Sequence, residues 1–248
     1  MALTRRERLH EATREEIKQV AREQMAEQGT AAISLRAIAA RMEMRAPSLY
    51  NYFSNRDDLV TALIVDAFNS LAETLERASV SRPEQDIANR LLITTLAYRE
   101  WAVTHPTDFA LISGNPIPGY SAPEDATDEV ARRGMVVFFN LLQQAWEQHR
   151  LTIPPEYADL TLPFNQQFAQ WCIEHEISLP IAHLVLVAFA QLQGLIMQEI
   201  YGLLQNFVDD PAALYRLEMI ALLKHLHLIT SETELDTALS NLTQNTIA

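Results

Sequence analysis

The sequence predicts an all-α fold. It holds only six glycines in 248 residues, and long stretches contain neither glycine nor proline, which favours helices over turn-rich β structure. Apolar residues recur at helical spacing along most of the chain, and no run shows the alternation typical of a strand. Hydrophobic residues make up 48% and charged residues 21%, a composition typical of a folded globular protein and not of a disordered one.

The first helix is predicted to begin at Thr4 and to end before Gly29. Thr4 and Glu7 have the spacing of a capping box, in which each side chain accepts a hydrogen bond from the backbone N–H of the other residue. Apolar residues from Ile17 to Ala26 then follow at helical spacing. Gly29 is a natural stop, because glycine adopts left-handed backbone angles without strain.

Two short helices separated by a tight turn are predicted next. Ser34 is placed to cap the second helix. After a turn at Glu43-Met44, a third helix runs from about Arg45 through Tyr52. Such a pair is a helix-turn-helix, whose second helix can enter the major groove of DNA while the first crosses the backbone. Small, hydroxyl-bearing, amide and cationic side chains are suited to contact with base edges and phosphates. The outward side of the third helix carries such residues, namely Arg45, Ala46, Ser48, Tyr50, Asn51 and Tyr52, with Pro47 in its first turn.

The rest of the chain predicts further helices. A fourth, long helix opens at a capping box formed by Ser54 and Asp57, and a fifth begins at Ser81–Glu84 and runs to Thr104. Proline disfavours a helical residue before it, so His105-Pro106 ends the fifth helix. The segment 113–123 has the longest loop signal. Later helices are predicted at roughly 124–150, 156–176, 179–205 and 211–228, with a last amphipathic one at 231–244.

A combined pattern spans residues 8–60. It consists of a glycine that closes the first helix, a serine-capped second helix, a third helix ending Leu-Tyr-x-Tyr-Phe and a basic residue before Asp-Asp-Leu, at Gly29, Ser34, 49–53 and 56–59. This pattern resembles the DNA-binding domain of the tetracycline-repressor (TetR) family. The resemblance implies that Tyr50 and Tyr52 contact phosphates or base methyl groups and that Arg56 holds the DNA backbone. Ser34 and Arg36 complete the predicted DNA-binding set. Phe53 is expected in the core, whereas Tyr52 is equally suited to the core and to DNA.

The turn departs from the family pattern. That pattern is usually a hydrophobic residue followed by Gly-Val-Ser/Thr, whereas this chain has Met42-Glu43-Met44-Arg45. A left-handed glycine costs nothing there, so Glu43 either costs about 1 kcal/mol or adopts a different turn. Glu43 also places a negative charge near DNA, which Arg45 could offset by reading a guanine or holding a phosphate. We expect an unusual operator or slightly weaker binding, and not lost function.

The second half predicts a sensor domain. Trp101, His105-Pro106, Phe109, Gly114 and the proline-rich loop that follows resemble the Trp-His-Gly (WHG) type of C-terminal domain found in part of the family, a resemblance that names no ligand. Helix 156–176 also carries an aromatic stripe. Apolar side chains with a few polar groups suit a small, apolar effector, and the predicted effector-binding residues are Trp101, His105, Phe109, Phe138, Trp146, Phe168, Trp171, His183 and Met197. For each of them ordinary core packing is the alternative.

Helices 179–205 and 211–228 predict a homodimer. Both are apolar around most of their circumference, which implies burial inside a domain or against a partner. Gly194 and Gly202 share a face and would allow another helix to approach closely. The resemblance implies that the last two helices form a four-helix bundle with those of a second copy, so that two recognition helices meet a pseudo-palindromic operator.

Enzymatic and metal-binding functions have weak support. The sequence has no glycine-rich phosphate loop, no nucleophile elbow and no paired Glu-x-x-His motif. Cys172 and His175 have the spacing of metal ligands but lack a second pair. We therefore predict no catalytic residue, no metal and no cofactor.

Charge and cysteine content indicate partners and location. Residues 1–60 hold ten basic and nine acidic side chains, whereas the remaining 188 residues hold nine basic and 23 acidic, within a total formal charge of −13. Only the first part can approach phosphates without strong repulsion. The one cysteine excludes an internal disulfide, and Arg5, Arg6 and Arg8 are followed by no apolar signal region. These features predict a cytoplasmic protein with no membrane span.

The sequence thus predicts a ligand-responsive transcriptional repressor. A helix-turn-helix domain is assigned to residues 1–58, and an effector-binding and dimerisation domain to residues 59–248. Two alternatives remain. One is a helical-bundle enzyme, for which no catalytic constellation is found. The other is a protein-interaction module that has lost DNA binding, supported by Glu43 and the acidic balance.

Overall fold

The computed structural model describes residues 4–229, apart from residues 85, 115–116 and 154–163. Within these ranges the chain consists of helices and connecting turns, with no strand, which confirms the predicted all-α fold. The helices are α1 (Arg5–Gln28), α2 (Leu35–Arg41), α3 (Ala46–Leu49), α4 (Arg56–Ser79), α5 (Ile87–Thr104), α6 (Pro106–Ser113), α7 (Glu124–Glu147), α8 (Gln166–Glu174), α9 (Leu179–Ile200) and α10 (Pro211–His225), with a 3₁₀ turn at Thr30–Ala32.

Both predicted ends of α1 are confirmed. The Glu7 amide donates to Thr4 Oγ1 at 3.3 Å, and the Thr4 amide donates to Glu7 Oε2 at 2.7 Å. The hydrogen bond from the Thr4 amide, and after it one from the Thr4 side chain, lowers the pKa of the Glu7 carboxyl, because the ionised form accepts such bonds better. At the other end Gly29 has φ 87°, and its amide donates to the Met25 carbonyl at 2.8 Å.

Two predicted helix starts are wrong. The residue that caps α4 is Asn55, whose Oδ1 accepts from the Asp58 amide at 2.9 Å, and not Ser54. Ser81 does not begin α5, because its hydroxyl donates to the Ala78 carbonyl at 2.7 Å and so closes the end of α4. A serine hydroxyl can accept at a helix start or donate at a helix end, and sequence spacing alone does not distinguish the two roles.

Other predicted boundaries change by a few residues. The break at His105-Pro106 is confirmed, but Pro106 also begins α6, which the pattern did not predict; proline is tolerated there because a first helical residue needs no N–H partner. The helices α3, α7, α9 and α10 end three to five residues before their predicted ends at 52, 150, 205 and 228. Part of predicted helix 156–176 and all of helix 231–244 lie outside the described residues.

The ends of α2, α7, α8, α9 and α10 have a shared geometry. In a Schellman motif the residue after the C-cap is left-handed, and two amides bond back to carbonyls inside the last turn. Five helices of the described chain end in this way, with the left-handed residues Glu43, His149, Glu176, Gly202 and His227. Only one of these residues is glycine. A low glycine content therefore did not prevent abrupt helix ends, although each non-glycine residue there costs conformational energy.

Contacts divide the chain into two compact units. The first comprises Met1–Ser70 and His105–Ala131, and the second comprises Leu71–Thr104 and Arg132–Ala248. In the first unit, α1–α4 share one apolar core with Leu111 of α6 and Ile117 of the following loop. The domain boundary predicted between residues 58 and 59 lies inside α4 and stays a prediction.

The second unit packs α9 and α10 onto α5. Tyr215 of α10 is 2% exposed, and its hydroxyl donates to the Thr95 carbonyl of α5 at 2.9 Å. Burial raises the pKa of the Tyr215 phenol well above its ordinary value. Arg99 of α5 forms a two-pronged ion pair with Glu199 of α9. By length and composition alone α9 could cross a membrane, and a third of its apolar window is buried in this unit.

A network of charges joins α1 to α4 and α6 in the first unit. Lys18 of α1 is 5% exposed, and its Nζ lies 2.6 Å from an Asp66 oxygen of α4 and 2.5 Å from Glu15. Arg22, one turn later, lies 3.4 Å from the same Asp66 oxygen and donates to Asp108 of α6 at 2.9 Å. Asp66 is therefore shared by two cations of α1.

We expect Asp66→Ala to lower the free energy of unfolding by about 1–3 kcal/mol, because Lys18 stays desolvated with Glu15 as its remaining partner. Glu73 on the same helix is exposed to solvent, so Glu73→Ala should change the free energy of unfolding by less than about 0.5 kcal/mol. Urea unfolding of both variants measures the difference. Equal stabilities would show that the network does not hold α1 in place.

Candidate nucleic-acid interface

The helix-turn-helix is held by a small set of apolar side chains. Ser34 caps α2, since its Oγ accepts from the Ala37 amide at 3.4 Å. Ile38 of α2, Leu49 of α3 and Phe53 after α3 are at most 2% exposed and belong to the core of the first unit. Burial of these positions leaves the opposite sides of α2 and α3 toward solvent.

The turn between α2 and α3 uses Glu43 in a left-handed conformation. Its φ is 54°, its amide donates to the Ala40 carbonyl at 3.2 Å, and the Met44 amide donates to the Ala39 carbonyl at 2.9 Å. This is the geometry that a glycine would adopt without strain. Of the two expectations for Glu43, the strained left-handed residue is therefore confirmed, and a different type of turn is not observed.

The predicted DNA-binding residues form an exposed and a half-buried group. Exposed to solvent are Arg36, Arg45, Pro47, Tyr50 and Asn51, whereas half-buried are Ser34, Ala46, Ser48, Tyr52 and Arg56. Tyr50 is 48% exposed although it follows α3 directly. Within the described chain the guanidinium groups of Arg36 and Arg45 form no hydrogen bond or ion pair, so both cations are available to an anion.

Arg56 and Arg41 are engaged inside the protein. Arg56 donates from Nε to the Ile33 carbonyl at 3.2 Å and from Nη2 to the Ala31 carbonyl at 3.3 Å, which ties the start of α4 to the segment before α2. Arg41 of α2 pairs with Glu23 and Glu27 of α1. The predicted role of Arg56 toward DNA stays a prediction, and the structure adds a role in holding the helix-turn-helix.

Tyr52 lies under two side chains of α1 that sequence reasoning missed. The His10 ring stacks on the Tyr52 ring with centroids 4.6 Å apart, and Arg14 Nη1 donates to the Tyr52 carbonyl at 3.3 Å. The Arg14 guanidinium also lies 4.4 Å above the Phe53 ring. These residues are 38 or more positions apart in sequence from their partners, and no local pattern in α1 points to them.

The nine predicted effector-binding residues belong to both units of the chain. His105, the N-cap of α6, and Phe109 belong to the first unit, and the other seven belong to the second. Trp101, Phe109 and Phe138 are buried, Phe168, Trp171, His183 and Met197 are half-buried, and His105 and Trp146 are exposed. The predicted stripe on α8 forms an aromatic cluster, in which the Trp171 ring lies 5.7 Å from Phe139 and 5.8 Å from Phe168.

A cavity of about 40 Å³ lies in the second unit, between α5, α7, α9 and α10. Its lining is almost wholly apolar and consists of Leu91, Thr95, Phe138, Leu142, Val185, Ala188, Phe189, Leu192, Met219, Leu222, Leu223 and Leu226. The Thr95 hydroxyl donates to the Leu92 carbonyl and so offers the cavity little polarity. Of the predicted effector-binding residues Phe138 alone lines this cavity, and the participation of α10 was not predicted.

The candidate metal ligands do not gather into a site. Cys172 is fully buried, and burial raises the pKa of its thiol, which disfavours the thiolate that binds metals. His175 is exposed, with Nδ1 2.8 Å from the Trp171 carbonyl. Over the described part of the chain no group of three His, Cys, Asp or Glu side chains has the geometry of a metal site.

Comparison with known proteins identifies both halves of the chain. The family profile "Bacterial regulatory proteins, tetR family" matches residues 17–63, which include the helix-turn-helix. The profile "Tetracyclin repressor-like, C-terminal domain" matches residues 91–222. The second match contains Trp101, His105 and Gly114, and the finer assignment to a Trp-His-Gly type stays a prediction.

Proteins of similar sequence match this chain along most of its length. The HTH-type transcriptional regulators Rv1816 of Mycobacterium tuberculosis and Mb1846 of Mycobacterium bovis are each 31% identical over 204 residues, which cover 80% of this chain and 86% of the relative. A crystal structure of SCO4313 is 33% identical, with a TM-score of 0.70, and covers 89% of this chain and 100% of its own. A protein from Rhodococcus sp. RHA1, 20% identical with a TM-score of 0.66 over 86% of this chain and 95% of its own, shares the fold. Profile matches to both halves and relatives 31–33% identical show that the chain belongs to the TetR family of transcriptional regulators, whose members are ligand-responsive DNA-binding repressors and not enzymes.

Proposed function

We propose that this regulator reads its operator with α3 and the residues that follow it, while α2 holds the DNA backbone. The observation that carries the proposal is that Arg36 on α2 and Arg45 at the start of α3 have no partner among the described residues and lie beside an exposed polar surface. Arginine pairs with phosphate or with the O6 and N7 atoms of guanine. Ser48, Tyr50 and Asn51 would supply the remaining base contacts, and Ala46 and Pro47 are small enough to admit a thymine methyl group.

A second copy of the chain completes the DNA-binding form. One side of α9 carries His183, Val187, Ala190, Gly194 and Met197 at helical spacing, of which Val187 and Ala190 are exposed and the others half-buried. A Cβ added at Gly194 would meet nothing within 4 Å, so this surface has room for the close approach of another helix. Exposed apolar side chains extend the surface along α9, α10 and their connection, namely Leu186, Val187, Tyr201, Leu203 and Leu217. A two-fold dimer through these helices buries them and presents two recognition helices to a pseudo-palindrome.

The dimer also accounts for the apolar character of α9. Its other side packs on α5 and α10 within one unit, an arrangement expected of a helix in a folded domain. We therefore assign its exposed side to a partner copy and not to lipid. The cytoplasmic location predicted from the sequence fits a DNA-binding regulator.

The effector is proposed to be a small apolar molecule that enters the cavity between α5, α7, α9 and α10. Small-molecule pockets usually measure about 300–1,000 Å³, so a cavity of about 40 Å³ has to widen as a ligand enters. Widening displaces α9 and α10, the helices proposed to form the dimer. An effector that binds this widened state a hundredfold better than the DNA-bound state supplies about 2.7 kcal/mol per site toward release. The continuous helix α4 contributes residues to both units and is the proposed transmitter.

Selection of the purified protein against a random DNA pool, followed by salt titration on the enriched sequence, tests the proposed interface. We expect a palindrome and a steep fall of affinity with salt concentration. A folded dimer that enriches no sequence at low salt would favour the alternative of a protein-interaction module.

We expect Arg45→Ala and Arg36→Ala to weaken operator affinity about tenfold or more, because each removes a charge-assisted contact from both half-sites. If the lost partner is a phosphate, the slope of log affinity against log salt falls by about 0.9 per contact, so by nearly two in a dimer. Arg41→Ala is the matched control, since Arg41 already pairs with Glu23 and Glu27. Equal losses for all three variants would contradict the assignment. Fluorescence anisotropy measures the affinities.

Glu43→Gly should raise the free energy of unfolding by about 0.5–1 kcal/mol, because glycine removes the strain of a left-handed side chain. It should also tighten operator binding at low salt, because it removes a negative charge from the turn. Glu43→Gln separates the two effects: it keeps the strain and should share only the gain in affinity. A Glu43→Gly variant less stable than the parent in urea would contradict the strain.

Val187→Asp should separate the dimer, because it places one carboxylate from each copy in an apolar contact. We expect the dissociation constant of the dimer to rise at least about a hundredfold in sedimentation equilibrium, with loss of operator binding. Val187 is 47% exposed in the single chain, so the fold should persist. Val80→Asp, at a position 72% exposed just beyond α4, is the control and should leave the dimer intact. A dimeric Val187→Asp would place the interface elsewhere.

A further inference from the structure

The recognition helix is too short to fix its own end. Helix α3 spans only Ala46–Leu49, about one turn, and Tyr50–Tyr52 continue it as a turn. Tyr52 is tied to α3 by a hydrogen bond from its amide to the Leu49 carbonyl at 2.9 Å. A single turn of helix is marginal by itself, so the direction of the Tyr52 side chain depends on contacts from elsewhere.

Tyr52 packs against the core of the first unit, and two side chains on one face of α1 contact it from outside that core. His10 and Arg14 are four residues apart and therefore neighbours on the helix surface. His10 covers the Tyr52 ring at 4.6 Å with an interplanar angle of 29°, and Arg14 holds the Tyr52 carbonyl at 3.3 Å. Arg14 also covers the Phe53 ring at 4.4 Å, and Phe53 is anchored in the core at 2% exposure. The Tyr52 ring, the Tyr52 carbonyl and the neighbouring Phe53 ring are thus each contacted by a side chain of α1.

The face of α1 that makes these contacts is firmly held. Its N-terminus is closed by the capping box of Thr4 and Glu7, and Ile17, Ala21 and Met25 bury the second half of the helix in the core. His10 is itself exposed to solvent. No packing in the core therefore requires a histidine at this position, and the stack on Tyr52 is the contact that its ring makes.

We propose that His10 and Arg14 are positioning residues for DNA recognition, which hold Tyr52 in its DNA-contacting orientation before DNA arrives. This inference rests on the proposed function, in which the residues that follow α3 read the operator, and on the operator contact that the sequence analysis predicts for Tyr52. Ordering a side chain in advance removes part of the entropy that binding would otherwise cost. His10 and Arg14 therefore contribute to operator affinity through Tyr52, without contacting a base.

The test combines His10→Ala, His10→Phe, Tyr52→Ala and the double variant His10→Ala/Tyr52→Ala, each measured on the selected operator. We expect His10→Ala to weaken affinity about fivefold, within the range measured for one stacked aromatic pair, and His10→Phe to restore it to within about twofold. On a Tyr52→Ala background, His10→Ala should cause no further loss, because the residue through which it acts is gone. Arg14→Met should also weaken binding, and Gln19→Ala, an exposed position on α1, should not.

Thermal unfolding of the variants without DNA distinguishes a loss of stability from a loss of operator affinity. An unchanged melting temperature for His10→Ala, with weaker operator binding, supports the inference. If Tyr52→Ala binds the operator as tightly as the parent, the proposed role of Tyr52 fails and the inference fails with it. If Tyr52→Ala weakens binding and His10→Ala does not, the inference alone is overturned.

A third outcome assigns His10 a direct contact. If His10→Phe fails to restore affinity, and the salt slope falls for both His10 variants, His10 binds a phosphate itself and positioning is overturned. Additive losses in the double variant would lead to the same conclusion.

Discussion

The first unit depends on the pairing of Lys18, a cation that α1 carries to a position only 5% exposed. An ammonium so placed requires carboxylates, and Asp66 of α4 supplies one while also bonding Arg22. Arg22 in turn takes Asp108 of α6. Two residues one turn apart on α1 thus determine where α4 and α6 can lie. The same helix stacks His10 on Tyr52, so α1 carries both these ion pairs and a contact to the candidate DNA interface.

Local rules predicted those parts of the fold that local atoms decide. The capping box of Thr4, the stop at Gly29 and the cap at Ser34 each involve residues within four positions, and each is observed. The predicted starts at Ser54 and Ser81 failed because an equally good local partner was available, namely Asn55 for α4 and the Ala78 carbonyl for Ser81. The ends of α7 and α10 were overextended because the left-handed residues that follow them, His149 and His227, are not glycines and leave no mark in the sequence.

The candidate site also has a part that the local sequence predicts and a part that it does not. The polar side of α3 follows from a short pattern, and exposure of Arg45, Tyr50 and Asn51 agrees with it. The contacts between α1 and Tyr52 join residues 38 or more positions apart, and the periodicity of one helix cannot reveal such contacts. The lining of the candidate effector cavity was the least predictable part. Of the predicted effector-binding residues only Phe138 lines it, and half of its twelve lining residues are leucines that any buried helix would carry.

The strain and the negative charge of Glu43, in the turn between α2 and α3, are relevant to the release of such a regulator from DNA. The chain outside residues 1–60 is strongly acidic, so attraction to phosphate comes from a few cations of the first unit, with Glu43 placed among them. An effector has to supply only the difference between two states, about 2.7 kcal/mol for a hundredfold preference. If operator binding were much tighter, that difference would not empty the site at ordinary effector concentrations. In the proposed mechanism, a turn that costs stability and repels phosphate is therefore compatible with function, because the effector has to reverse operator binding.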